Sequence, residues 1–249
     1  MATRETDIFT PPVPECRDGI YRALKKSPKV PIAQKTNFFP LTASLYEPLW
    51  RKRSLTLLTG GDFSTPRELE LMLEWLKPQP GETVLDAACS AGLYARTLLA
   101  SEADLQVHAL DFSVPFLEKA REYSIREGVK PVLVQADVRA LPYRDRVFDA
   151  LVCGGSLNEF TDLPGTLGEF ARVLKPGGRM WQMYLTKAES TMGKVGQSMT
   201  RLSGLRFIDP ASLEKEASKV GFQLIKSQYR GPVTLTLFAT LERSARGAG

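Results

Sequence analysis

The sequence predicts an α/β fold: a mostly parallel sheet with helices on both faces and an antiparallel C-terminal edge strand. Three observations carry that prediction. From Glu82 onward, short apolar runs alternate with amphipathic stretches of helix length. Two of the runs, Val132-Leu133-Val134 and Ala150-Leu151-Val152, are apolar at every position, as strands covered on both faces must be. The last two apolar segments are separated by Gly231-Pro232, a hairpin signal.

Residues 1–40 are punctuated by Pro11, Pro12, Pro14, Pro28, Pro31 and Pro40 and read as irregular, with a basic helix expected within Asp18–Lys26. Thr42–Leu58 places Leu45, Tyr46, Leu49, Trp50, Leu55 and Leu58 near a helical period, and Gly60-Gly61 ends it. Thr65-Pro66-Arg67-Glu68 supplies an N-cap, a proline in the first turn and an acid. The helix it starts runs to about Leu76, before Pro78 and Pro80. Strands are expected at Thr83–Asp86, Gln106–Asp111, Pro131–Ala136, Ala150–Gly154 and Arg179–Leu185, with helices at Gly92–Ser101, Val114–Glu127 and Pro164–Leu174. Lys175-Pro176-Gly177-Gly178 reads as a helix stop and turn. A last helix at Pro210–Val220 precedes paired strands at Gln223–Tyr229 and Val233–Glu242.

Composition narrows the class. With 43% hydrophobic residues and a net charge of only +5 over 249 residues, the chain is not globally disordered. No apolar run is long enough to span a bilayer. Residues 1–60 hold ten Lys/Arg against five acids, so the whole +5 excess lies there and the remainder is neutral. Cys16, Cys89 and Cys153 are too scattered for a zinc cluster or disulfide framework. Cys89 and Cys153 read as small buried hydrophobes. The opening MATRETDIFTPPVPEC has no apolar targeting core, and a cytoplasmic location is expected.

The chemistry concentrates in Thr83-Val84-Leu85-Asp86-Ala87-Ala88-Cys89-Ser90-Ala91-Gly92-Leu93-Tyr94, where an apolar strand ends in an acid, passes small residues and enters a helix. Small residues let a ligand approach the backbone. The G-x-G-x-x-G dinucleotide fingerprint is absent, and Asp86 would repel a pyrophosphate while attracting a cation. Asp111 ends the second strand, where a carboxylate can accept from ribose hydroxyls. Asp137 follows the third strand, and Gly154 ends the fourth. Acids on three successive strand ends suit a ligand with an ammonium, a ribose diol and an adenine amine, and no phosphate. Asp86 could instead serve as a helix cap, and His108, the single histidine, reads as a packed core side chain.

Taken together, VLDAACSAGLYART, VHALDFS, VQADVRALPY, FDALVCGGSLNEF and EFARVLKPGGRM resemble the class I S-adenosylmethionine-dependent methyltransferases across roughly residues 65–243. The small-molecule, UbiE-like branch is the nearest in pattern. Thr42-Ala43-Ser44-Leu45-Tyr46-Glu47-Pro48-Leu49-Trp50-Arg51 is similar to a segment of its cyanobacterial and plastid-type members.

The resemblance implies a Rossmann-like seven-stranded sheet, S-adenosyl-L-methionine as cofactor and S-adenosyl-L-homocysteine as product. By position it implies Asp86 near the methionyl ammonium, with Ala87, Ala88, Ser90 and Gly92 in the small-residue loop. It further implies Asp111 on the ribose, Phe112 flanking the adenine, Asp137 on its amine, Val138 facing the ring, and Gly154 at the fourth strand end. The sequence departs from D-x-G-x-G-x-G at Ala88 and Ser90. A side chain at a left-handed position is strained, so the loop is expected to keep negative φ there; the alternative is weakened cofactor binding.

Residues 1–64 are expected to form a partly helical, basic extension that covers the acceptor or docks the protein, and 65–249 the methyltransferase domain, with a lid-like insertion at 188–208. The insertion mixes Met192, Met199, Leu202, Leu205 and Phe207 with Lys194, Arg201 and Arg206, and carries Gly193, Gly196 and Gly204. Apolar residues with basic flanks suggest a lipophilic, quinone-like acceptor taken from a membrane surface by peripheral contact. No general base stands out; Tyr94, Asn158 and Glu159 are the positional candidates, and no metal ligand set is present. Nucleic acid is disfavoured, because the core is neutral and no D/N-P-P-Y/F/W tetrad occurs. Ala88 and Ser90 leave open a non-catalytic protein that keeps the fold.

Overall fold

The computed structural model describes residues 5–24, 52–61, 63–101, 103–187 and 206–241. In chain order the elements are β1 (Glu15–Arg17), β2 (Ile20–Arg22), α1 (Lys52–Leu58), α2 (Thr65–Leu76), β3 (Thr83–Ala87), α3 (Leu93–Leu99), β4 (Gln106–Asp111) and α4 (Val114–Glu127). They continue with β5 (Val132–Gln135), β6 (Phe148–Gly154), a 3-10 turn at Leu157–Glu159, α5 (Leu163–Val173), β7 (Leu174–Leu185), α6 (Pro210–Lys219), β8 (Phe222–Arg230) and β9 (Val233–Thr240).

The helix starts follow from local chemistry. Ser64, Ser113, Asp162 and Asp209 each turn a side-chain oxygen toward a backbone N–H of the first turn, and each of these helices has a proline at its first or second position. Gly128 closes α4 in the left-handed conformation.

The sheet has nine strands in the order β1-β2-β5-β4-β3-β6-β7-β9-β8. Strands β2 through β7 run parallel to one another, β1 is antiparallel to β2, and β9 inserts antiparallel between β7 and β8. One face carries Met72, Trp75 and Leu76 of α2, Leu98 of α3 and Leu117 and Ala120 of α4 over Val84, Val107, Val152 and Trp181. The other carries Leu167 and Phe170 of α5 and Leu213 and Ala217 of α6 over Leu85, Leu110, Val134, Leu151 and Tyr184. Seven strands form the expected Rossmann-like sheet, and the two extra ones come from the N-terminal segment.

That segment corrects one expectation. Asp18–Lys26 does not begin as a helix: Glu15–Arg17 and Ile20–Arg22 form a hairpin, and β2 pairs in parallel with β5, Ile20 opposite Leu133. Asp18 and Gly19 both take positive φ (53° and 74°), as a two-residue hairpin turn of right-handed twist requires. Arg121 of α4 donates to the Asp18 carbonyl and fixes the turn on the domain. Upstream, Ile8 and Phe9 are buried where residues 136–147 supply no helix between β5 and β6. Phe9 forms an antiparallel bridge with Tyr143, and the Thr10 N–H donates to the Pro142 carbonyl.

Lys175–Gly178, expected as a turn, lies within β7 as a wide bulge: Phe148 pairs with Leu174 and Ala150 with Arg179, and Gly177 at φ 73° absorbs the extra chain. Most of the expected helix at 42–58 and nearly all of the insertion 188–208 lie outside the described residues; α1 covers 52–58.

Candidate cofactor site

Strands β3 to β6 present their carboxyl ends on one edge, and the chain leaves β3 toward β4 on one side while β6 lies on the other. Open α/β sheets bind ligands at such a switch point. Asp86, buried near the end of β3, accepts from the Ala95 N–H through Oδ2 at 3.0 Å. The loop then alternates left-handed residues: Ala88 at φ 58°, Ser90 at 48° and Gly92 at 75°. The expectation of negative φ at 88 and 90 is therefore overturned. The backbone conformation is imposed from outside the loop. The Cys89 N–H donates to the Leu110 carbonyl at 2.9 Å, and the Ser90 N–H to Asp111 Oδ2 at 2.9 Å. Strain of about 1–2 kcal/mol at each non-glycine residue is the cost of that arrangement. Gly92 tolerates a side chain less well than its neighbours, because a Cβ there would sit 3.1 Å from that of Ala120 as well as on a left-handed backbone.

Asp111 binds both flanks of its own loop, accepting from Ser90 through Oδ2 and from the Ser113 N–H through Oδ1 at 2.8 Å. Burial pushes its carboxyl up to about 6, against the two N–H bonds, and the neighbouring charge of Glu159 adds to the rise. Each carboxylate oxygen retains a lone pair for a further donor, such as a diol hydroxyl. Phe112, the next residue, and Val138, after β5, are half-buried. Asp137 is engaged by its neighbour: Arg139 donates through Nε and Nη2 at 2.6–3.1 Å and through its amide at 2.9 Å. Burial opposes ionisation of Asp137, but the Arg139 bonds outweigh it and hold the carboxyl below its ordinary value. The Ser156 hydroxyl donates to the Ala88 carbonyl at 3.4 Å and links the β3 and β6 loops.

The three positional candidates separate. Glu159 is half-buried and close enough to affect Asp111. Asn158 is fully buried with its amide committed to backbone: Nδ2 donates to the Leu185 and Arg206 carbonyls, and Oδ1 accepts from the Leu185 N–H. It clamps the end of β7 to the chain returning at residue 206. Tyr94 is buried, and its hydroxyl donates to Glu68 Oε1 at 2.5 Å. Its ring covers Gly154 so closely that a Cβ at 154 would lie 1.9 Å from the hydroxyl. Glu68 was not singled out from sequence, where it reads as an ordinary first-turn acid favoured by the helix dipole.

The residues fit an adenosyl sulfonium group. Carboxylates at Asp86, Asp111 and Asp137 supply acceptors for an ammonium, hydroxyls and an amine, Gly92 and Gly154 let Ala120 and Tyr94 pack against the loop and strand end, and the acidic set rejects a pyrophosphate.

Comparison with known proteins agrees. Residues 85–181 match the family model described as a methyltransferase domain. With the fold, this makes the matched segment similar to the class I S-adenosylmethionine-dependent methyltransferase domains of UbiE-like type. The chain is 33% identical over 155 residues to an uncharacterised chloroplastic methyltransferase of Arabidopsis thaliana, covering 59% of this chain and 43% of that one. It is 36% identical over 113 residues to the 2-phytyl-1,4-naphtoquinone methyltransferase of Trichormus variabilis, covering 44% and 49%. The chain thus spans about half the length of the curated relatives it matches. Phosphoethanolamine N-methyltransferase 2 of Haemonchus contortus, solved with S-adenosyl-L-methionine, shares the fold at a TM-score of 0.65 and 18% identity, over 85% of this chain and 59% of that one.

Proposed function

We propose that this protein transfers a methyl group from S-adenosyl-L-methionine to a small, lipophilic or aromatic acceptor of quinone type. One observation carries the cofactor part: the left-handed loop at Ala88, Ser90 and Gly92 is tied through the Ser90 N–H to Asp111 at the tip of the next strand. The cofactor, when bound, supplies an electrophilic methyl for in-line displacement. The protein's own residues bind and orient. Asp111 accepts from the ribose diol, Asp86 lies toward the methionyl end, and Phe112, Asp137 and Val138 hold the base. Removing water and aligning donor with acceptor account for the catalysis.

The acceptor reading is supported by the similarity to phytyl-naphthoquinone and demethylmenaquinone methyltransferases and by the rim of the site. The β8–β9 turn lies on the ligand edge, since Leu185 pairs with Val233, and it approaches the Leu58 backbone. Around it Leu57, Leu58 and Tyr229 are 74%, 39% and 55% exposed. Among the described residues no helix is long and apolar enough to cross a membrane, so contact with a bilayer would be peripheral, through this rim and the basic chain N-terminal to it. Incubation with methyl-labelled S-adenosylmethionine and a panel of prenylated and simple hydroquinones tests the acceptor. Label appearing in none of them overturns the quinone assignment. Calorimetry with S-adenosylhomocysteine tests the cofactor site separately, and absence of binding would favour a non-catalytic protein. Flotation with anionic liposomes tests the membrane contact.

A further inference from the structure

Glu68 has no part in the cofactor contacts proposed above, yet it is fully buried on α2 with its carboxylate at the ligand edge of the sheet. It accepts the Tyr94 hydroxyl proton at 2.5 Å. Tyr94 is held in turn by the Trp181 ring, 5.5 Å away between centroids, and by the absence of a side chain at Gly154. The next residue, Ala95, donates its N–H to Asp86. One turn of α3 therefore joins two buried carboxylates on the same face of the sheet.

A phenol has one proton and two lone pairs. With the proton directed at Glu68, the Tyr94 oxygen at Gly154 can serve other groups only as an acceptor. We propose that Glu68 fixes the Tyr94 hydroxyl as an acceptor for the ammonium of the cofactor's amino-acid end, making Glu68 a positioning residue and Tyr94 a direct contact. The proposal rests on the cofactor reading above. It adds a recognition element from α2, outside the loop at residues 86–92, to the one expected at Asp86. An acidic, acceptor-only floor here favours ligands with a cationic amino-acid tail over the bare thioadenosine.

Calorimetry with S-adenosylmethionine, S-adenosylhomocysteine and 5′-methylthioadenosine tests it, because the third lacks the amino-acid tail. Glu68→Gln and Tyr94→Phe should each weaken the first two by about tenfold or more and leave the third within about twofold, with the double variant no weaker than the singles. Equal losses on all three ligands, or no loss on any, would overturn the proposal. If Glu68→Gln fails to fold, Tyr94→Phe decides alone, since it keeps the ring on Trp181 and removes only the hydroxyl. If the unaltered protein binds none of the three, the cofactor reading itself fails, an outcome distinct from failure of the Glu68 assignment.

Discussion

The Phe9 ring stacks on the Tyr143 ring, centroids 5.2 Å apart and planes 17° from parallel, and the two residues also share a backbone bridge. His108 meets both rings edge-on. An N-terminal residue thereby seals a gap that no helix covers. Phe9→Ala should cost about 3 kcal/mol or more of unfolding free energy, as complete removal of a buried ring does. Urea denaturation followed by tryptophan fluorescence reads the change.

His108 should make the protein acid-sensitive. Both ring nitrogens are buried without a hydrogen-bond partner among the described residues, and burial lowers the pKa to about 3 from 6.5. The unfolded chain binds the proton first, so stability falls as pH drops below 6.5 and continues to fall toward 3, by up to about 1.4 kcal/mol per pH unit. Asp111, raised to about 6, contributes the opposite slope between 3.8 and 6. His108→Leu should flatten the fall between pH 6.5 and 6, where Asp111 contributes least. Thermal melts across that range check it.

Asp111→Asn should affect binding and stability together. The amide oxygen can accept from only one of the Ser90 and Ser113 N–H groups and its NH2 faces the other, so the melting temperature should fall even though a buried charge is removed, and S-adenosylhomocysteine binding should weaken by about 1–3 kcal/mol. Calorimetry and a melt on the same sample give both numbers.

Ala88→Gly and Ser90→Gly should each stabilise the protein by about 0.5–1 kcal/mol, the left-handed strain relieved less the added freedom of the unfolded chain. Gly92→Ala should destabilise, since the backbone is left-handed and the Ala120 Cβ is 3.1 Å from the new methyl.

Asn158→Ala should lower stability by about 2 kcal/mol, leaving the Leu185 N–H and two carbonyls without their partner. S-adenosylhomocysteine affinity should hold. A selective loss of binding with unchanged melting would instead restore Asn158 as a ligand contact.

Local signals were readable where one residue decides one feature. The helix α4 spans Val114–Glu127 as expected, with Ser113, Pro115 and Gly128 at its ends, and the tips of β3, β4 and β6 fall where the apolar runs stop. Pairing over long separations left no such trace: nothing in Ile20-Tyr21-Arg22 points to Leu133-Val134-Gln135. Asp18-Gly19 did carry a hairpin signal, overshadowed by the basic residues that follow it. At Ala88 and Ser90, intrinsic preference misleads because bonds from Leu110 and Asp111 dictate φ. The burial of Glu68 depends on where α2 docks, which its own helix pattern does not encode.

The hairpin at residues 15–22 has a consequence for synthesis. Its parallel partner β5 and the Tyr143 contact of Phe9 are made more than a hundred residues later. This stretch leaves the ribosome before its partners and must therefore wait, unpaired, for them before it can dock. Until then β5 is an open sheet edge, and the apolar side chains of Phe9 and Ile20 are exposed to whatever receives the nascent chain.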